Sequence, residues 1–110
     1  LVMRYFKNLK NNEKYNVIVQ NMGRSSYYKC IIKTKIRSEI IEKFCKKNGI
    51  QLTGKVWNIP IHKQNVFKKY LNKDKFLNAE KFCEYHICPP NYPELTLGDI
   101  DYVCSILNKI

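Results

Sequence analysis

Residues 36–48 constrain this chain most, because their pattern fits one backbone form and dictates what can flank it. Ile36, Ile40, Ile41 and Phe44 recur at helical spacing and form one apolar stripe. Glu39 with Lys43, and Glu42 with Lys46, are favourable i,i+4 pairs on the wet side, worth roughly a few tenths of a kcal/mol each. Lys46 and Lys47 suit the negative C-terminal end of a helix. Gly49 is a natural left-handed stop, after which Ile50 can fold back onto the helix. Ahead of the helix, residues 26–33 alternate as a strand: Tyr28, Cys30 and Ile32 share one face, and Tyr27, Lys29, Ile31 and Lys33 the other. Behind it, residues 52–57 read as a short strand. Strand, helix, glycine, strand in 110 residues gives one α+β domain, able to bury about two-thirds of its unfolded surface.

The remaining chain fits around this unit. Val2 to Leu9 reads as the tail of a helix, with Met3, Phe6 and Leu9 at three-residue spacing. A polar turn over residues 10–14 leads to a β candidate over 15–20, and residues 21–25 form a loop carrying Gly23. Residues 65–71 look like a short helical segment with Val66, Phe67 and Tyr70, broken by Lys73-Asp74-Lys75. Residues 76–85 form another helix, with Phe76, Ala79 and Cys83 on one face, followed by a short extended piece, His86-Ile87-Cys88. Pro89-Pro90-Asn91-Tyr92-Pro93 cannot be helical. Thr96 is a good N-cap for the last helix, with Asp99 completing a capping box. Leu97, Ile100, Val103, Cys104, Leu107 and Ile110 form its stripe.

Residues 56–64 join the two halves. They hold the only Trp (Trp57), Pro60, and one of the two His (His62). Pro60 fixes its own φ and biases Ile59 to an extended conformation, leaving His62 and Lys63 on a loop. An aromatic, a proline and an imidazole on a loop can line a pocket. The competing reading is a surface crossover with Trp57 tucked into the core.

The net charge of +11 raises nucleic acid or an anionic membrane surface as a partner. Against this, Lys outnumbers Arg by 17 to 3, whereas Arg is favoured for bidentate reading of bases and phosphates. The excess also travels with Asn and Ile, all three having A/T-rich codons. The lysines are scattered, so specific nucleic-acid binding is not expected. No apolar run approaches the ~18 residues of a membrane span. Without a secretory signal, the five Cys are expected as reduced thiols in the cytoplasm, at core or near-core positions. Cys83, His86 and Cys88 are close in sequence, but their spacing does not match a closed zinc site. Neither a phosphate loop nor a nucleophile–base pair is set by local spacing. Asp99 and Asp101 read as first-turn helix charges, so no catalytic residue and no metal ligand is assigned.

Several ordered motifs resemble one enzyme family. Gly49-Ile50 before a strand, then Ile59-Pro60-Ile61-His62-Lys63-Gln64, is similar to the "Gly-Ile … Pro-Ile-Pro-Leu-His-x-Gln" region of the DegT/DnrJ/EryC1/StrS sugar aminotransferases. Phe76-Leu77-Asn78-Ala79-Glu80 resembles that family's "Phe-Pro-x-Ala-Glu" helix start. Pro90-Asn91-Tyr92-Pro93-Glu94-Leu95-Thr96 resembles its "Leu-Pro-Leu-Tyr-Pro-Glu-Leu-Thr" turn. Asp101-Tyr102-Val103 resembles its C-terminal helix, and Ser26-Tyr27-Tyr28-Lys29 the strand that opens its small domain. The sequence departs from the pattern at Val56, Trp57 and Asn58, where the family usually has His, Tyr and Pro.

The resemblance implies the C-terminal small domain of a pyridoxal phosphate (PLP) aminotransferase acting on keto sugars of nucleotide sugars. The implied fold is α+β: a small antiparallel sheet of about three strands packed by helices. Residues 1–12 would be the end of an inter-domain helix and a turn, and residues 13–110 the small domain. A chain beginning at Leu1 is expected to be a piece of a longer one. The Schiff-base lysine and phosphate cradle have no matching positions, so PLP would be held by the rest of the enzyme. The chain alone is expected to hold no cofactor and to be inactive. The implied partners are a nucleotide-linked keto sugar, an amino donor and a second copy in a homodimer. His62, and with it Trp57, would line the substrate pocket. A stand-alone basic nucleic-acid-binding or interaction module is the alternative.

Overall fold

In the computed structural model, which describes residues 1–71 and 75–110, buried residues on three helices pack around a short sheet. The elements are α1 (Val2–Leu9), β1 (Tyr15–Val17), β2 (Ile32–Thr34), α2 (Ser38–Lys47), α3 (Lys68–Leu71), α4 (Leu77–Glu84), β3 (His86–Ile87) and α5 (Leu97–Leu107). Two 3₁₀ turns, Ile61–Lys63 and Asn65–Phe67, precede α3. The sheet has the order β1-β2-β3 and is antiparallel throughout. Tyr15 faces Thr34, Val17 faces Ile32, and Ile32 in turn faces Ile87. This is the expected α+β class with about three strands. Among the described residues, no helix is long and apolar enough to cross a membrane.

The core gathers Val2, Tyr5 and Leu9 of α1, Ile32 of β2, Ile41 and Cys45 of α2, Ile87 of β3, and Ile100, Val103, Cys104 and Leu107 of α5. Each large apolar side chain buried there contributes about 1.5–3 kcal/mol. Three long-range hydrogen bonds lock it. Tyr5 Oη donates to the Pro90 carbonyl, Tyr15 Oη to the Leu107 carbonyl, and Tyr102 Oη to the Asn48 carbonyl, each at 2.8 Å. Arg4 grips Asp101 with two bonds of 2.7 and 2.6 Å, joining α1 to α5. Asp101 is therefore an inter-helix partner, and only Asp99 acts as a first-turn charge.

The capping devices form as the sequence dictates. Thr96 Oγ1 accepts from the Asp99 N–H at 3.1 Å, and Asp99 accepts from the Thr96 N–H at 2.9 Å. Gly49 adopts φ +75°, with Gly49 N–H donating to the Lys46 carbonyl and Ile50 N–H to the Cys45 carbonyl. That is a Schellman stop, and Ile50 is buried behind it.

Several boundaries and faces differ from the sequence reading. α1 buries Val2, Tyr5 and Leu9 rather than Met3, Phe6 and Leu9. The i, i+3, i+7 spacing follows the 3.6-residue turn, whereas a strict three-residue repeat drifts off the face. In α2 the buried line is Ser38, Ile41 and Cys45, and Ile40, about 100° away on the helix, is exposed. The first strand is confined to Tyr15–Val17. The second starts only at Ile32, because Tyr27 sits at φ +47° and breaks the alternation, leaving Tyr28 exposed. Residues 52–57 are not a strand: Gly54 at φ +78° turns the chain, and His86–Ile87 takes the third place in the sheet. On α4 only Cys83 is buried, with Phe76 and Ala79 exposed; Leu97 of α5 is exposed too. Of the expected break at Lys73-Asp74-Lys75, Lys73 and Asp74 lie outside the described residues.

Candidate functional site

The segment of residues 56–64 is a loop fastened at its two ends, to β3 at its root and to α4 at its far end. At its root, the Val56 N–H donates to His86 Nε2 at 3.0 Å, and Lys55 Nζ donates to the Cys83 carbonyl at 2.6 Å. The His86 ring is fully buried, stacks on Phe82 with centroids 4.2 Å apart, and donates from Nδ1 to the Phe82 carbonyl. Both ring nitrogens are thus committed to main chain, which fixes the Nδ1–H tautomer. Burial is the main cause that pulls the His86 pKa below the usual imidazole value, and Lys55 and Lys29 act in the same direction.

At the far end, Pro60 (φ −59°, ψ 151°) leads into the 3₁₀ turn that carries His62. His62 turns inward and is 7% exposed. Its Nε2–H donates to Glu80 Oε1 at 3.2 Å, and its ring lies 4.8 Å from that of Phe76. Lys63 Nζ reaches the same Glu80 oxygen at 3.0 Å. Hydrogen bonds from Lys63 and His62 hold the Glu80 carboxyl below the usual carboxylate range.

Between these two anchors the loop presents its apolar side chains to solvent. Trp57 is 56% exposed, and Ile59 and Ile61 are exposed beside it. The structure therefore overturns the reading of Trp57 as a core residue. Trp57 is exposed to solvent, whereas His62 is buried against Glu80 of α4. The neighbouring Val66, Phe67, Tyr70, Phe76 and Leu77 are also exposed. The two 3₁₀ turns and α3 pack on one another, so residues 61–70 carry exposed apolar side chains able to serve as a binding or packing face. A cleft of about 190 Å³ lies behind the loop, lined by Ser38, Glu42, Lys55, Asn58, His86 and Cys88 among others.

Sequence reasoning missed Glu80 and His86 as loop anchors. Glu80 lies 18 residues from His62, and His86 lies 30 from Val56, so no local pattern links them. His86 serves as a backbone staple, with both ring nitrogens engaged by main chain. All five cysteines are free and buried, and burial pushes the Cys83 and Cys88 thiols upward in pKa. Among the described residues, no group of three or more His, Cys, Asp or Glu is placed to hold a metal ion.

The model of the DegT/DnrJ/EryC1/StrS aminotransferase family matches residues 1–108. No curated protein matches the chain. Solved structures with the same fold include a DegT/DnrJ/EryC1/StrS aminotransferase from Brucella abortus, with a TM-score of 0.83 and 20% identity over 98% of this chain and 28% of that one. PseC of Helicobacter pylori, an aminotransferase involved in the biosynthesis of pseudoaminic acid, matches with a TM-score of 0.79 and 20% identity, covering 98% of this chain and 30% of its own. The GDP-4-keto-6-deoxy-D-mannose-3-dehydratase of E. coli, solved with bound hydrated PLP, gives 0.76 and 19% over 96% of this chain and 28% of its own. The chain thus spans less than a third of the length of the structures it resembles.

Proposed function

Since the chain belongs to the DegT/DnrJ/EryC1/StrS aminotransferase family, we propose that it is the C-terminal small domain of a PLP-dependent aminotransferase acting on keto sugars of nucleotide sugars. The observation that carries this is the family match over residues 1–108, with the fold shared end to end by enzymes more than three times longer. In this reading residues 1–12 end an inter-domain helix and residues 13–110 form the small domain of a cytoplasmic homodimer. The product amino sugar would serve surface polysaccharide or similar glycans.

The described residues do not by themselves fit PLP. Its chemistry requires a lysine amine free to form an imine. The two half-buried lysines, Lys29 and Lys55, instead donate to main-chain carbonyls: Lys29 to Thr53 and Lys55, Lys55 to Cys83. No step is therefore assigned to this chain's own residues, and the cofactor belongs to the remainder of the enzyme.

What this chain would supply is one wall of the sugar site. The exposed Trp57 on this anchored loop suits a flat contact with a sugar or base face. His62 would shape that wall from behind, since its Nε2 is engaged by Glu80. The test is turnover by the longer protein that carries this chain, supplied with PLP, glutamate or glutamine, and a nucleotide-linked 4-keto or 3-keto hexose. Amino-sugar formation that depends on PLP is expected. Absence of such turnover with every keto sugar tried would refute the assignment.

A further inference from the structure

Residues 57–59 make no main-chain hydrogen bond among the described residues, so their position is set by what holds the two ends of the loop. The root is held by His86. At the distal end Pro60 is buried, and the side-chain contacts converge on one carboxylate oxygen, Glu80 Oε1, which receives both His62 at 3.2 Å and Lys63 at 3.0 Å. Of these two contacts, the His62 contact is nearly dry, with 6% of the side chain exposed, whereas Lys63 is 55% exposed. Lys63 acts more strongly on the Glu80 carboxyl, but as an exposed ion pair it is screened by solvent and adds little to holding the loop, whereas the His62 bond is shielded from water. Phe76 packs against the same imidazole, with ring centroids 4.8 Å apart.

We infer that Glu80 is a positioning residue: by gripping His62 it sets the orientation in which the loop presents Trp57, Ile59 and Ile61. The inference rests on the reading of this loop as a substrate-facing wall, but its test reads loop geometry alone. Failure of either can therefore be told from failure of the other.

The test compares Glu80→Ala with the native chain by backbone ¹⁵N relaxation. In the native chain the amides of residues 57–59 and 61–63 should have order parameters near the rigid value of about 0.85. In E80A those of residues 57–59 and 61 should fall toward about 0.6, while α1, α5 and the sheet keep theirs. Lys63→Ala should leave the loop order unchanged. In the double variant His62→Phe with E80A, the loss should be no greater than in E80A alone, because both changes remove one contact. Should E80A not fold, Glu80→Gln carries the same comparison, since its amide lacks the charge that strengthens the His62 bond. Unchanged order at residues 57–59 and 61 in the variant that folds, or a loss spread evenly over the chain, would overturn the inference. So would a K63A loss as large as that of E80A.

Discussion

His86 Nε2 accepts the Val56 N–H at 3.0 Å, so a fully buried imidazole pins the start of the Trp57 loop to β3, an edge strand of the sheet. The bond exists only while Nε2 carries no proton. Protonation would replace an acceptor with a donor facing another donor, next to Lys55 and Lys29.

Stability should therefore fall on mild acidification. The folded-state pKa of His86 lies below its ordinary value of 6.5. The unfolded chain then binds the proton first as the pH drops. The stabilisation is complete above about pH 6.5 and is lost progressively as pH falls below that value toward the folded pKa. Thermal melts at pH 7.5 and pH 5.5 should show a lower Tm at the acid end, and His86→Gln should flatten that difference. An equal drop in H86Q would remove His86 as its source.

Tyr5→Phe should cost about 1 kcal/mol. Tyr5 is fully buried and its hydroxyl donates to the Pro90 carbonyl, so the change removes one buried hydrogen bond while keeping the ring. Urea unfolding should show the midpoint falling with the m-value unchanged.

Thr96→Ala should destabilise by about 1 kcal/mol, through loss of a cap that satisfies the Asp99 N–H. Thr96→Ser should restore most of it. Both are read by the same urea titration, and a neutral T96A would show that the cap is dispensable.

The helices and their ends were legible in the sequence because capping and stopping are local. Thr96 with Asp99, and Gly49 with Ile50, need only a few neighbouring residues to form. The third strand was misplaced because strand membership is decided by partners. Residues 52–57 have β-like composition, yet Gly54 turns them out of the sheet and His86–Ile87 pairs with β2. The loop of residues 56–64 was recognisable as a special segment. Its division into an inward His62 and an outward Trp57 was not, since it depends on Glu80 and Phe76 reaching it from α4.

Trp57 is the residue on which the proposed site depends most, and its exposure separates stability from function. Trp57→Ala should change the folding free energy by no more than about 0.5 kcal/mol, because an exposed side chain has little packing to lose. The most direct measurement is the steady-state kinetics of this variant in the longer protein proposed above to use PLP, with the proposed nucleotide-linked keto sugar varied. The account predicts a KM for that sugar raised about tenfold, equivalent to about 1.4 kcal/mol of binding, with kcat and the PLP absorbance unchanged. A KM equal to that of the native enzyme would contradict it.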